Sequence, residues 1–170
     1  MKQPNEIQRM IYQHGSAIDL SPLDDNKFRF IQHEGLQVLH TAFDPEESSG
    51  FPFEVFCYPT YYQLKVGEWY KNEVYLGTKE KVVRDFFTQT AKLLNGTCRL
   101  ELVCLEDDIE KPIKWRIMEA KDNGFEESWG EKGPLNLMFW KKRSTQSYKN
   151  SEWGESEMQH LYEMQSKLMK

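Results

Sequence analysis

The sequence predicts an α+β fold in a single domain, residues 1–170, with a largely antiparallel sheet, a long central helix and short terminal helices packed on it. Three observations carry that expectation. Short β-rich runs follow one another with only Gly- or Pro-containing turns between them, as antiparallel neighbours do. Residues 78–96 hold an unbroken helical period of apolar side chains. The length, 170 residues with 39% hydrophobic side chains, suits one domain with a core of its own.

Each element has a local reason. Asn5 to His14 places Ile7, Met10, Ile11 and His14 on one helical face. Asn5 can cap this helix while Gln8 reaches back, and Gly15 is expected to stop it. Ser16 to Asn26 reads as loop. Lys27–Gln32 and Leu36–Phe43 read as a hairpin around His33-Glu34-Gly35, with Gly35 free to take positive φ. After the loop-like Asp44–Pro52, strands are expected at Phe53–Tyr58, Tyr61–Val66 and Trp69–Leu76, divided by Pro59 and Gly67.

In the helix that follows, Thr78 is the expected cap, Val82, Val83, Phe86, Phe87, Ala91 and Leu94 form the apolar face, and Asn95-Gly96 ends it. Its burial and its backbone ordering are of similar size, so it needs a sheet to lie on. Cys98 to Leu105 alternates with period two and offers that sheet. Further strands are expected at Ile113–Ala120, at Phe125–Trp129 after the Asp122-Asn123-Gly124 turn, and at Leu135–Lys141. A polar linker, Ser144–Glu152, leads to a closing helix from Glu155 to Met169.

Chemistry is harder to find. The glycine spacing fits no phosphate-cradling loop, and neither G-x-S-x-G nor H-E-x-x-H occurs. The acidic run Glu106–Glu110 lacks the calcium-loop spacing, and Glu157-x-x-His160 has no second copy. Cys57, Cys98 and Cys104 form no C-x-x-C pair, so three reduced, buried thiols are expected. No metal, cofactor or catalytic residue is assigned, and the chain reads as non-enzymatic. Its amino terminus has no apolar signal-like stretch and no 18-residue apolar run follows, so a cytoplasmic protein without a membrane span is expected.

Two features point to contacts. Nine aromatic residues fall between Phe51 and Tyr75, and adjacent Tyr61-Tyr62 and Trp69-Tyr70 must point to opposite faces of their strands. From Glu106 to Glu131 nine acids meet four bases, so this segment holds the whole net charge of −5. Nucleic acid is therefore a poor partner. The expected partner is a protein with a basic surface, which the chain would bind and neutralise. That physical profile is shared by immunity proteins, antitoxins and phage-encoded inhibitors. The expected contact residues are Tyr62, Trp69, Glu106, Asp107, Asp108, Glu126, Glu127 and Trp129. Two alternatives stand beside this: a small-molecule-binding domain or minor enzyme using His40 or a cysteine in an aromatic cleft, and a homo-oligomeric structural protein.

Overall fold

The computed structural model describes residues 4–17, 28–45, 49–132, 142–151 and 154–167, with the side chains of Ser16, Ala17, Trp69, Lys111, Glu131, Lys132 and Glu157 outside the description. Its elements run α1 (Glu6–Ala17), β1 (Arg29–His33), β2 (Leu36–Phe43), β3 (Phe53–Cys57), β4 (Tyr61–Val66), β5 (Trp69–Val74), α2 (Lys79–Leu94), β6 (Cys98–Leu105), β7 (Asp108–Lys121), β8 (Gly124–Lys132), β9 (Arg143–Tyr148) and α3 (Glu155–Lys167). The class is mixed α+β with antiparallel strands, but there are two sheets rather than one. One is the meander β1-β2-β3-β4-β5 and the other has the order β8-β7-β6-β9. The helices span 12, 16 and 13 residues, so α2 is only modestly the longest.

Local signals explain most boundaries. Asn5 Oδ1 accepts from the Gln8 N–H at 2.8 Å while Gln8 Oε1 accepts from the Asn5 N–H at 2.9 Å, a reciprocal cap for α1. Glu34 and Gly35, at φ 51° and 75°, make the two-residue turn between β1 and β2. Thr78 Oγ1 accepts from the Lys81 N–H at 3.3 Å, and the Asn95 N–H donates to the Ala91 carbonyl at 2.9 Å. These bonds close the two ends of α2.

Three expectations need correction. Gly15 does not end α1, which runs on to Ala17. A Cβ there would collide with the Phe28 ring, so this glycine serves close packing instead of termination. The polar stretch taken for a linker forms β9 against β6, because Arg143–Tyr148 alternates exposed and half-buried positions on a sheet edge and needs no apolar run. Asp108–Glu110 belong to β7, leaving only Glu106 and Asp107 as the turn. The strand expected at Leu135–Lys141 and most of the loop Ser16–Asn26 lie outside the described residues.

One core joins both sheets and all three helices, drawing Ile11 from α1, Phe53, Tyr62 and Leu64 from the first sheet, Phe86 and Phe87 from α2, Leu100 and Ile117 from the second sheet, and Leu161 from α3. Buried positions Val82, Val83, Phe86, Phe87, Thr90, Ala91, Leu93 and Leu94 cover roughly half the circumference of α2, wider than the ~100° stripe of a helix on a single sheet. Asn150, fully buried, pins the two sheets together: its Oδ1 accepts from the Phe51 N–H at 2.8 Å and its Nδ2 donates to the Phe51 carbonyl at 3.2 Å.

Candidate functional site

The eight expected contact residues do not form one surface. Tyr62 is sealed in the core at 2% exposure, its ring edge-on to Phe86 at 5.4 Å and its hydroxyl donating to Asp85 Oδ2 at 3.1 Å. Burial, with the Asp85 carboxylate beside it, pushes that hydroxyl far above the usual tyrosine range. Strand parity gives the reason: Tyr62, Leu64 and Val66 share the inward face of β4, so Tyr61 is the outward member of the pair. Trp69 opens β5 opposite Val66, and its side chain lies outside the description. Trp129 is half-buried, edge-on to Trp115 at 5.3 Å with Lys71 Nζ 5.8 Å above its ring.

The carboxylates divide into two groups. Leu105 pairs with Asp108 at one end of β7, whereas Glu119 pairs with Glu126 near the other. Their β6 partners, Leu105 and Cys98, are seven residues apart, roughly 23 Å at about 3.3 Å per residue. The far group is largely compensated. Glu127 meets Lys114 at 3.0 Å, and Glu119 meets Lys92 at 2.8 Å and Lys121 at 3.0 Å. Burial alone would raise the Glu119 carboxyl, yet its hydrogen bonds to Lys92 and Lys121 hold it below the ordinary value. Glu126 stays exposed.

The near group is a single run. Glu106, Asp107, Asp108, Ile109 and Glu110 are consecutive and all exposed at the tip of the β6–β7 hairpin. Ile109, an apolar side chain held 55% exposed among four acids, went unnoticed in the sequence, where a lone isoleucine in an acidic turn gives no signal. The Glu106 N–H donates to the Lys142 carbonyl at 3.2 Å, which brings Lys142 and Arg143 alongside and bounds the acidic tip on that flank.

The outward rings of the first sheet cover one another. Tyr61 stacks on Tyr58 with centroids 4.5 Å apart and planes 10° from parallel, and the Tyr58 hydroxyl is hydrogen-bonded to His33 Nδ1 at 2.8 Å. Phe56 lies between the two histidine rings, 5.3 Å from His33 and 4.6 Å from His40. With Val38 these rings make a small second core on the outer face, and burial pushes the Tyr58 hydroxyl up to about 12. Tyr58, Tyr61 and Phe56 thus supply their own cover, and Tyr70, on the same outward face, is the exception at 53% exposure.

Neither His40 nor Cys57 lines the groove found among the described residues. Cys57 is fully buried, and desolvation drives its thiol far upward. His40 Nε2 is bonded to Glu54 Oε2 at 2.9 Å, and its buried Nδ1 has no hydrogen-bond partner among the described residues. A groove of about 190 Å³ between α2 and α3 is lined by Ala91, Lys92, Met158, Leu161 and Tyr162, remote from both groups and smaller than a usual small-molecule site. Among the described residues no cluster of three or more His, Cys, Asp or Glu is placed to hold a metal ion, and no helix is long and apolar enough to cross a membrane.

The fold is mixed α+β, with an acidic hairpin tip exposed on its second sheet. No known protein family, curated protein or solved structure matches the chain.

Proposed function

We propose that this is a cytosolic, non-catalytic protein that binds and neutralises another protein, one presenting a basic surface, in the manner of an immunity protein, antitoxin or phage-encoded inhibitor. The observation carrying this reading is the hairpin tip Glu106–Glu110, where four carboxylates and Ile109 are exposed within five consecutive residues. Carboxylates of one sign speed encounter with a basic partner, and a central apolar side chain adds residence time once water is excluded. The reading shifts weight within the expected contact set: Glu106, Asp107 and Asp108 keep their role, Tyr62 loses it, and Glu126, Glu127 and Trp129 pair with β7 away from the acidic tip.

The test is capture of a basic protein from a native lysate, followed by measurement with the purified pair. Binding is expected to weaken as salt rises through the range where the Debye length shortens from about 10 Å to about 3 Å. Changing Glu106→Gln with Asp108→Asn, or Ile109→Ser alone, should release the partner, whereas Glu126→Gln should not. A captured protein insensitive to salt and to all three changes would overturn the reading.

A further inference from the structure

The outer edge of β5 holds the largest concentration of exposed apolar side chains. Of seven large hydrophobic residues exposed among the described residues, Tyr70 (53%), Val74 (65%) and Leu76 (74%) sit on β5 or just beyond it. β5 ends the five-stranded sheet, and no described strand pairs with its free side. Open apolar edges invite pairing with another chain.

The free backbone groups of this edge follow from its register. The Tyr75 N–H donates to the Thr60 carbonyl at 3.0 Å, and the β4–β5 pairs run Tyr61↔Val74 to Val66↔Trp69. Hydrogen-bonded and non-hydrogen-bonded pairs alternate in an antiparallel ladder. Trp69, Lys71, Glu73 and Tyr75 therefore turn their peptide groups toward β4, and Tyr70, Asn72 and Val74 turn theirs outward.

The side chains of the same segment are palindromic about Asn72. Two residues of opposite charge, Lys71 and Glu73, flank it and pair with each other at 2.7 Å, and beyond them come the apolar Tyr70 and Val74. An antiparallel copy centred on Asn72 sets Lys71 opposite Glu73 of the copy and Glu73 opposite its Lys71. It sets Tyr70 against Val74, an aromatic facing a β-branched side chain. The outward peptide groups fall in register in this arrangement, because Asn72 faces Asn72 and Tyr70 faces Val74 as hydrogen-bonded pairs. Lys71 and Glu73 then occupy the closer, non-hydrogen-bonded positions, about 4.5 Å apart at Cα.

We propose that β5 is a dimerisation edge, joining a second copy of this chain about a two-fold axis at Asn72 into one continuous antiparallel sheet. Charge complementarity selects the occupant. A charged edge strand ordinarily repels further strands, and a copy centred on Lys71 or on Glu73 sets like charges opposite each other, whereas the one centred on Asn72 sets each against its opposite. A two-fold contact of this kind is closed, so it yields a dimer and not a fibre.

Light scattering on the full chain tests this, with a mass expected near twice the 20.2 kDa of one chain at micromolar concentration. Lys71→Glu opposes like charges twice across the axis and should weaken the dimer about tenfold or more. The double variant Lys71→Glu/Glu73→Lys restores the palindrome and should restore the dimer. An equimolar mixture of the single variants Lys71→Glu and Glu73→Lys should form the heterodimer that neither forms with itself. Asn72→Pro removes an outward N–H without touching the β4 ladder, so it should give a monomer with unchanged circular dichroism. A wild-type monomer at 100 µM-scale concentration (roughly the upper end for such dimers) overturns the proposal. So does a dimer indifferent to Lys71→Glu, or one lost in that variant but not recovered by the charge swap.

Discussion

Glu54 shows how one side chain can tie three strands together. It stands on β3 with His40 Nε2 at 2.9 Å from β2 and Lys65 Nζ at 2.8 Å from β4. Burial alone would raise its carboxyl, but the hydrogen bonds from Lys65 and His40 outweigh that and hold it below 4.5. A carboxyl with a folded value under its unfolded one contributes stability that is fully present above about 4.5 and is lost as pH falls through the folded value. The urea midpoint should therefore drop on acidification below about pH 4.5, with Glu119 acting in the same direction. In Glu54→Gln the drop should be shallower, and an unchanged acid profile would show that the bridge contributes nothing to folding. Tyr62 carries a different lesson at this scale. Its neighbour Tyr61 has the same side chain and an opposite fate, and only the direction in which β4 faces the core distinguishes them.

At the scale of elements, patterns with a period were legible and patterns without one were not. The strands of the first sheet and α2 lie close to where alternation, Pro59, Gly67, Thr78 and Asn95 place them. β9 was missed because a polar edge strand has no apolar face to betray it. Gly15 was misjudged because glycine both ends helices and permits close packing, and the sequence does not show which is at work. Substituting alanine for a helical glycine ordinarily stabilises. Here Gly15→Ala should destabilise by about 1–3 kcal/mol through collision with Phe28, measured by denaturant unfolding. A stabilised variant would mean that α1 shifts freely against the chain entering β1.

Over the whole molecule, the core between the two sheets decides which groups are accessible. Cys57, Cys98 and Cys104 are all buried and free, with their thiols raised chiefly by desolvation. A thiol reagent such as Ellman's should leave the native protein unmodified over hours and react promptly in urea, at the rate at which the protein opens. Fast labelling of the folded chain would contradict the packing around β3 and β6. The same arrangement separates the acids. Both in the acidic segment of the sequence, Glu106–Asp108 and Glu126–Glu127 are carried to opposite ends of β7, and Glu127 is met by Lys114 and Arg116. By itself the sequence determined the elements that carry an apolar period, because hydrophobic period, turn residues and caps act within a few positions. It also determined the charge excess. Tertiary structure alone decided how many sheets form, which rings are sealed and where the carboxylates emerge, because each depends on which face of a strand meets the core and on partners distant in the chain.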